Sequence, residues 1–524
     1  MTIIILIIFS SVSFVMMKFS MIVTCAFFLT LTACAAPEPG PAATQVQEIG
    51  TFEPQPFAAD GTETELSSES ESSPPALPAL QLVTLGEEGD RLSARPADPL
   101  SLVDLPGYQS IDFGHHYTHA LSPDGRTMAL ITWPNGMDNK GGVLHLIELP
   151  AWTYHVTDVN FDQFIGALLF SPDGKQLYWS EPARTDPAHG MPRDYTLYRY
   201  DLDSQVRTEV IHFPPSFAPW EMHLLNADSR LAIYGLPTTP DFLAEDVPHV
   251  LVVDLDAGRL AADVRLEGVT AGQIQVDTAG ANESPYRMYL PGLAWDLERN
   301  LLYLVHADSD RITVVDLAQG EVRRQSDIQP AQSLLERLLG WLSTPAQAKA
   351  VPGTEKKAVL SPNGDRLYVV GLRSEMERKE DSQEWDWRQD PLSVQVIATD
   401  DLTELQRLDL PVNDLALSPD GNWLLLTGAY DVTGTEGQLE RVAGGLYLLN
   451  THTLQVAVHL LPESDVYLHG FSADGRYAYV STASSEWLGD HWGNWRIMMH
   501  LLELESGHFL AEREFTSYVL DVIR

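Results

Sequence analysis

One short phrase recurs five times in this chain. It reads Ala120-Leu-Ser-Pro-Asp-Gly125, Leu169-Phe-Ser-Pro-Asp-Gly174, Val359-Leu-Ser-Pro-Asn-Gly364, Ala416-Leu-Ser-Pro-Asp-Gly421 and Gly470-Phe-Ser-Ala-Asp-Gly475. Each copy is an apolar run, a small turn and a second apolar run. Proline presets φ for the first corner of a type I turn, glycine takes the left-handed conformation that closes a hairpin, and the serine hydroxyl is placed to accept a backbone N–H two residues on. The flanking Leu, Val, Tyr and Trp partly alternate, as half-buried antiparallel strands require. A third strand and a turn follow at similar distance, as in Leu144-His-Leu-Ile-Glu148, Leu197-Tyr-Arg-Tyr-Asp201 and Gly445-Leu-Tyr-Leu-Leu449. Degenerate copies at Leu224–Tyr234 and Leu293–Leu304 fill the gaps and bring the units to seven across about residues 114–514. Repetition of one supersecondary unit at this spacing predicts an all-β fold, a single β-propeller of seven four-stranded blades. The ends add a rival count. Leu100–Gly107 and Tyr108–Phe113 have the pattern of third and fourth strands, and Ser517–Ile523 that of an innermost first strand. Strands from both termini sharing one composite blade would close the ring, remove its edges and make eight.

The Ser-Pro-Asp-Gly hairpins, with Asp308-Ser-Asp-Arg-Ile-Thr-Val-Val-Asp-Leu-Ala-Gln-Gly320, carry a resemblance to the YVTN/WD-like propeller repeats of exported bacterial proteins, the Tol-associated periplasmic propeller among them. The resemblance covers most of the chain beyond its first hundred residues and is specific for fold. Propellers host binding modules, scaffolds and several enzyme types, so it implies no particular activity.

Residues 1–33 read as an address. Met17-Lys-Phe-Ser20 supplies a positive start, Met21–Leu31 an apolar stretch and Leu31-Thr-Ala-Cys34 a lipobox-like end, the pattern of a bacterial lipoprotein signal. Cys34 is then the lipid-modified N-terminus, and translation starting at Met16 or Met17 would account for the extra residues before it. Residues 34–95 are rich in Pro, Ala, Ser, Thr and Glu, with Ser67-Ser-Glu-Ser-Glu-Ser-Ser-Pro-Pro75 at the centre. Such a composition buries too little apolar surface to offset ordering entropy, which predicts a disordered tether with an average reach of roughly 40 Å. The propeller is assigned to 96–524. Both cysteines, Cys25 and Cys34, precede it, so it holds no disulfide and no thiolate metal site.

Against 73 Asp and Glu stand 33 Lys and Arg, a net charge of −40, which makes nucleic acid a poor partner. No Gly-x-Ser-x-Gly elbow, His-Glu-x-x-His or phosphate-cradling glycine loop is present. No catalytic, cofactor or metal residue is assigned. His115 and His119 share a face of a strand while His116 points away, and Asp308 with Asp310 falls short of a calcium loop. Ser333–Ser343 places Leu334, Leu335, Leu338, Leu339 and Leu342 on one face of a short helix stopped by Pro345, the one helical insertion.

In each blade the Ser-Pro-Asp-Gly turn joins the first and second strands, so the second-to-third connection lies on the opposite rim. Those connections are long: Glu181–Arg193, Leu236–Pro248, Leu372–Pro391, Ala429–Ala443 and Ala483–Asn494. Two carry clustered aromatic residues, and they give the candidate binding face: Trp385, Trp387, Arg388, Trp487, His491, Trp492 and Trp495. The expectation is a lipid-anchored, extracytoplasmic binding or scaffold module for a protein or small ligand. The alternative is an exported hydrolase, lactonase or quinone-dependent oxidoreductase working at the central channel.

Overall fold

The computed structural model describes most of residues 80–523. Outside the description lie 1–79, 86–91, 107–110, 134–140, 183–193, 276–285, 330–352, 379–384, 434–438, 488–491 and a few shorter segments. The lipoprotein signal, Cys34, most of the tether and the Ser333–Ser343 helix therefore fall outside the described residues. Among those described, every regular element is a strand.

Seven consecutive four-stranded antiparallel meanders follow one another along the chain: blades 1 to 7 at 111–161, 168–212, 217–265, 292–327, 353–408, 414–460 and 466–515. Each buries its two faces against its neighbours in sequence. Leu146, Phe161, Phe170 and Trp179 join blades 1 and 2; Tyr178, Phe217 and Ile233 join 2 and 3; Tyr234, Leu266 and Leu304 join 3 and 4. Tyr303, Val369 and Ile397 join 4 and 5, Tyr368 and Leu426 join 5 and 6, and Leu425, Phe471 and Val480 join 6 and 7. Face-to-face packing of successive meanders is the β-propeller, in which a blade is buried on both sides and only its outer strand meets solvent. The outer strands show it: Gln455–Leu460 holds only exposed and half-buried residues, whereas Leu301–Val305, a second strand, is buried throughout.

The ring closes through both ends of the chain. Val519–Ile523 pairs antiparallel with Leu80–Leu85, which pairs with Leu92–Ala97, which in turn pairs with the start of Ile111–Leu121. Ala97 and Leu102 pack on blade 7 beside Tyr479 and Met499, Tyr479 Oη donates to the Pro99 carbonyl, and Arg513 pairs with Asp104 at 2.7 Å. This corrects the composite sheet read from sequence. Its second and third strands are Leu80–Leu85, inside the stretch assigned to the tether, and Leu92–Ala97, which straddles the end of that stretch, so paired strands begin at Leu80. The alternating Leu80, Leu82 and flanking Val83 and Leu85 were outweighed by the Pro- and Ser-rich composition before them.

In each full copy the glycine N–H donates to the serine carbonyl, as Gly125 to Ser122 and Gly421 to Ser418, and the glycine φ is near +70°. The serine hydroxyl accepts from the residue five on, not two on: Thr127, Gln176, Arg366, Trp423 and Tyr477 each reach it at 2.9 Å. The hydroxyl donates to the turn aspartate, 2.6–2.7 Å in four copies, and to Asp365 at 2.9 Å where asparagine replaces aspartate. That aspartate receives the N–H two residues further on instead, as from Arg126. Successive turns also touch: a methyl on Gly421 would come within 2.7 Å of Pro362 in the preceding blade.

Candidate ligand-binding face

Three adjacent blades depart from the common pattern on the rim opposite the Ser-Pro-Asp-Gly turns. Their second and third strands run to 13 and 14 residues in blade 5, and 11 and 12 in blades 6 and 7, against 5 to 8 in blades 1 to 4. The stretches Leu372–Pro391, Ala429–Ala443 and Ala483–Asn494, expected as loops, are in large part paired β-hairpin. At about 3.3 Å per residue the added pairs carry each hairpin roughly 15 Å further than its neighbours. The two arms of each hairpin supply one another with backbone partners along nearly their whole length, which lets polar segments form strands here.

The hairpins of blades 5 and 6 are laced together. Arg388 pairs with Val432 across the blade boundary, and the Asp431 N–H donates to Gln389 Oε1 at 2.9 Å. Arg441 then bridges blade 6 to blade 7, meeting Asp431 at 3.1 Å and Asp465 at 2.9 Å. Burial opposes its charge, but the two carboxylates hold the guanidinium above its ordinary range. Charged groups so pinned give a rigid rim, because each loses little further freedom on meeting a ligand.

Of the residues proposed from sequence, Trp385, Trp387 and Arg388 lie on one strand, opposite Arg378, Met376 and Glu375. Arg388 is exposed and pairs with Asp390 at 2.7 Å. Trp487 and Trp492 are register partners on the two strands of the blade 7 hairpin, and Trp495 lies three residues along the strand of Trp492. His491 and the side chains of the five tryptophans lie outside the described part. The two aromatic groups thus share a rim, one blade apart. Gln389, Asp431, Arg441 and Asp465, which tie that rim together, carried no signal in sequence, since each is an ordinary polar residue until strands from different blades bring it to its partner.

A bulge between His116 and Thr118 breaks the period-two count that put His115 and His119 on a common face. Asp308 and Asp310 are answered from within the protein: Thr270 Oγ1 donates to Asp308 at 2.5 Å, and the buried Lys356 reaches the Ser309 carbonyl at 2.9 Å and Asp310 at 3.9 Å. No cluster of three metal-ligating side chains occurs among the described residues. His306, beside this loop, bonds Thr313 at 2.8 Å, and burial pushes its imidazole down to about 4, so it is neutral there. Along the innermost strands, Glu221 accepts from Trp295 Nε1 at 2.9 Å, with the His223 ring tilted at 36° against Trp295 and 3.6 Å from the carboxylate.

No family model matches this chain, and no curated protein matches it. Among solved structures, the dihydro-heme d1 dehydrogenase NirN in complex with DHE superposes over 86% of this chain and 76% of its own, at 12% identity and a TM-score of 0.45. A periplasmic gluconolactonase of Pseudomonas aeruginosa, PpgL, does so over 73% of this chain and 94% of its own, at 14% identity and a TM-score of 0.41. The fold class stands on the sheet order and the blade-to-blade cores described above.

Proposed function

We propose that this protein is a lipid-anchored, extracytoplasmic β-propeller that holds a protein or small ligand on its long-hairpin rim. The observation that carries the reading is the lacing of extended hairpins on adjacent blades, a departure from the repeat confined to one rim and bearing Trp385, Trp387, Arg388, Trp487, Trp492 and Trp495. A scaffold alone needs no such extension, because the shorter blades 1 to 4 pack equally well without it. The sequence before the propeller supports anchoring through Cys34 and a tether that stands it off a bacterial membrane.

The test is site-specific photo-cross-linking in intact cells, with the probe at position 388 on the long-hairpin rim or at Asp124 on the turn rim. Adducts from 388 and none from 124, lost when Trp492 and Trp495 are both changed to alanine, are the expected result. Adducts from 124 alone, or adducts indifferent to the double substitution, would remove the rim as the binding face. Cys34→Ser should move the protein from the membrane fraction to the soluble fraction, and retention in the membrane fraction counts against the anchor. The enzyme alternative has one observation on its side, the Glu221–His223 pair on the inner strand of blade 3. Hydrolysis of a lactone or ester that disappears in Glu221→Gln would favour it.

A further inference from the structure

On the Ser-Pro-Asp-Gly rim, arginines cross two successive boundaries between blades. Arg299 of blade 4 donates to the Asn363 carbonyl of blade 5 at 2.6 Å. Arg366, two residues past the turn glycine of blade 5, donates to the Thr451 carbonyl of blade 6 at 2.6 Å. The next boundary breaks the series. Trp423 stands two residues past the turn glycine of blade 6, the position that Arg366 holds in blade 5. Leu504 of blade 7 is the counterpart of Thr451, because each donates its N–H to the residue after the turn glycine of its own blade, Asn422 for Thr451 and Arg476 for Leu504. Trp423 packs in part against the core that blades 6 and 7 share, and it brings no guanidinium to the Leu504 carbonyl. A cleft of about 380 Å³ lies between the two blades there, with Trp423 and Leu504 in its wall.

The polar groups lining this cleft differ in what they have left to offer. The Asp420 carboxylate and the Asn450 side-chain carbonyl are taken up within their own turns, by Ser418 and Asn422 and by the His452 and Thr453 N–H groups. Glu503 accepts from Ser506 through one oxygen, while its other meets Arg476 only at 3.9 Å. The Arg476 side chain is 57% exposed, and Glu505, also in the wall, is exposed as well. One guanidinium beside two carboxylates repels a bare cation and a bare anion alike. No group of three metal-ligating side chains occurs among the described residues. A hydroxyl both donates and accepts, so neighbouring hydroxyls on one ring can answer guanidinium and carboxylate together. The C–H face of such a ring suits the electron-rich face of an indole. We propose that the cleft between blades 6 and 7 binds a neutral saccharide, stacked on Trp423 and hydrogen-bonded by Arg476, Glu503 and Glu505. It lies on the rim opposite the long hairpins and needs nothing from them.

Saturation-transfer difference NMR on the full chain tests this, with glucose, galactose, N-acetylglucosamine and their disaccharides as neutral probes and putrescine and citrate as charged ones. Transfer to the ring protons of at least one saccharide is expected, with none to putrescine or citrate. Trp423→Arg places at this boundary the residue that crosses the one before it, and should abolish the transfer. Arg476→Ala changes an exposed side chain and should weaken saccharide affinity about tenfold, as for one lost hydrogen bond to a charged group. That variant keeps the test in hand if the Trp423 variant folds poorly. No transfer to any of the saccharides, transfer to a charged probe instead, or saccharide binding indifferent to both substitutions would overturn the proposal.

Discussion

Single hydroxyls set the geometry of the repeat. In the blade 6 turn, Ser418 is buried, accepts the Trp423 N–H at 2.9 Å and donates to Asp420 at 2.6 Å. Ser418→Ala leaves that N–H with no acceptor in a turn closed to water, and the expected loss is about 1–2 kcal/mol, read from the denaturant midpoint at unchanged slope. Sequence reading found the residue and the turn but misjudged the bond. A two-residue Asx-like contact is the common use of serine in turns; here aspartate takes that bond, and serine is free to reach across the hairpin mouth to the fifth residue. The histidines teach the same lesson in reverse. His145, His249, His306 and His500 are buried and spent on Thr132, Asp263, Thr313 and Glu512. They brace strands within a blade, a role no spacing in the sequence could distinguish from ligation.

At the level of elements, the outcome turned on pairing. The first-to-second turns were legible because proline and glycine demand particular backbone angles wherever they stand. The second-to-third connections of blades 5 to 7 were not, because Arg373-Ser-Glu-Met-Glu-Arg378 and Trp385-Asp-Trp-Arg-Gln-Asp390 are too polar to announce strands. They form strands since each supplies the other with a full ladder of backbone partners away from any core. The joint between hairpins is narrower: one backbone pair at Arg388 and Val432, and one side-chain acceptor on Gln389. Gln389→Ala should therefore raise amide exchange at 431–433 by about an order of magnitude, the equivalent of one lost hydrogen bond, with no change in the thermal midpoint of the whole domain. A global loss of stability instead would mean that the rim is part of the core.

On the scale of the whole molecule, closure decides stability. The composite sheet joins residues 80–97 to 519–523, and the Tyr479–Pro99 and Arg513–Asp104 contacts press it against blade 7. Removing residues 517–524 strips the inner edge of Leu80–Leu85 and opens a sheet edge to water. The expected result is a lower thermal midpoint, with exchange rising at 80–85 and in blade 7 before blades 3 and 4. A truncated protein as stable as the full chain would mean that the terminal strands are ornament.

The sequence by itself determined the all-β class, the repeated hairpin and the rim on which the irregular segments lie. All of these depend on local backbone preference or on composition, which a chain carries before it folds. The tertiary structure alone decided which polar segments became strands, that Arg407 and Lys356 come to Asp310, that Tyr286–Leu290 pairs with Gly353–Leu360 of blade 5, and that strands from both termini share one sheet. Each of these joins residues far apart in the chain, and the partner that makes the contact favourable exists only once the blades have closed round the axis.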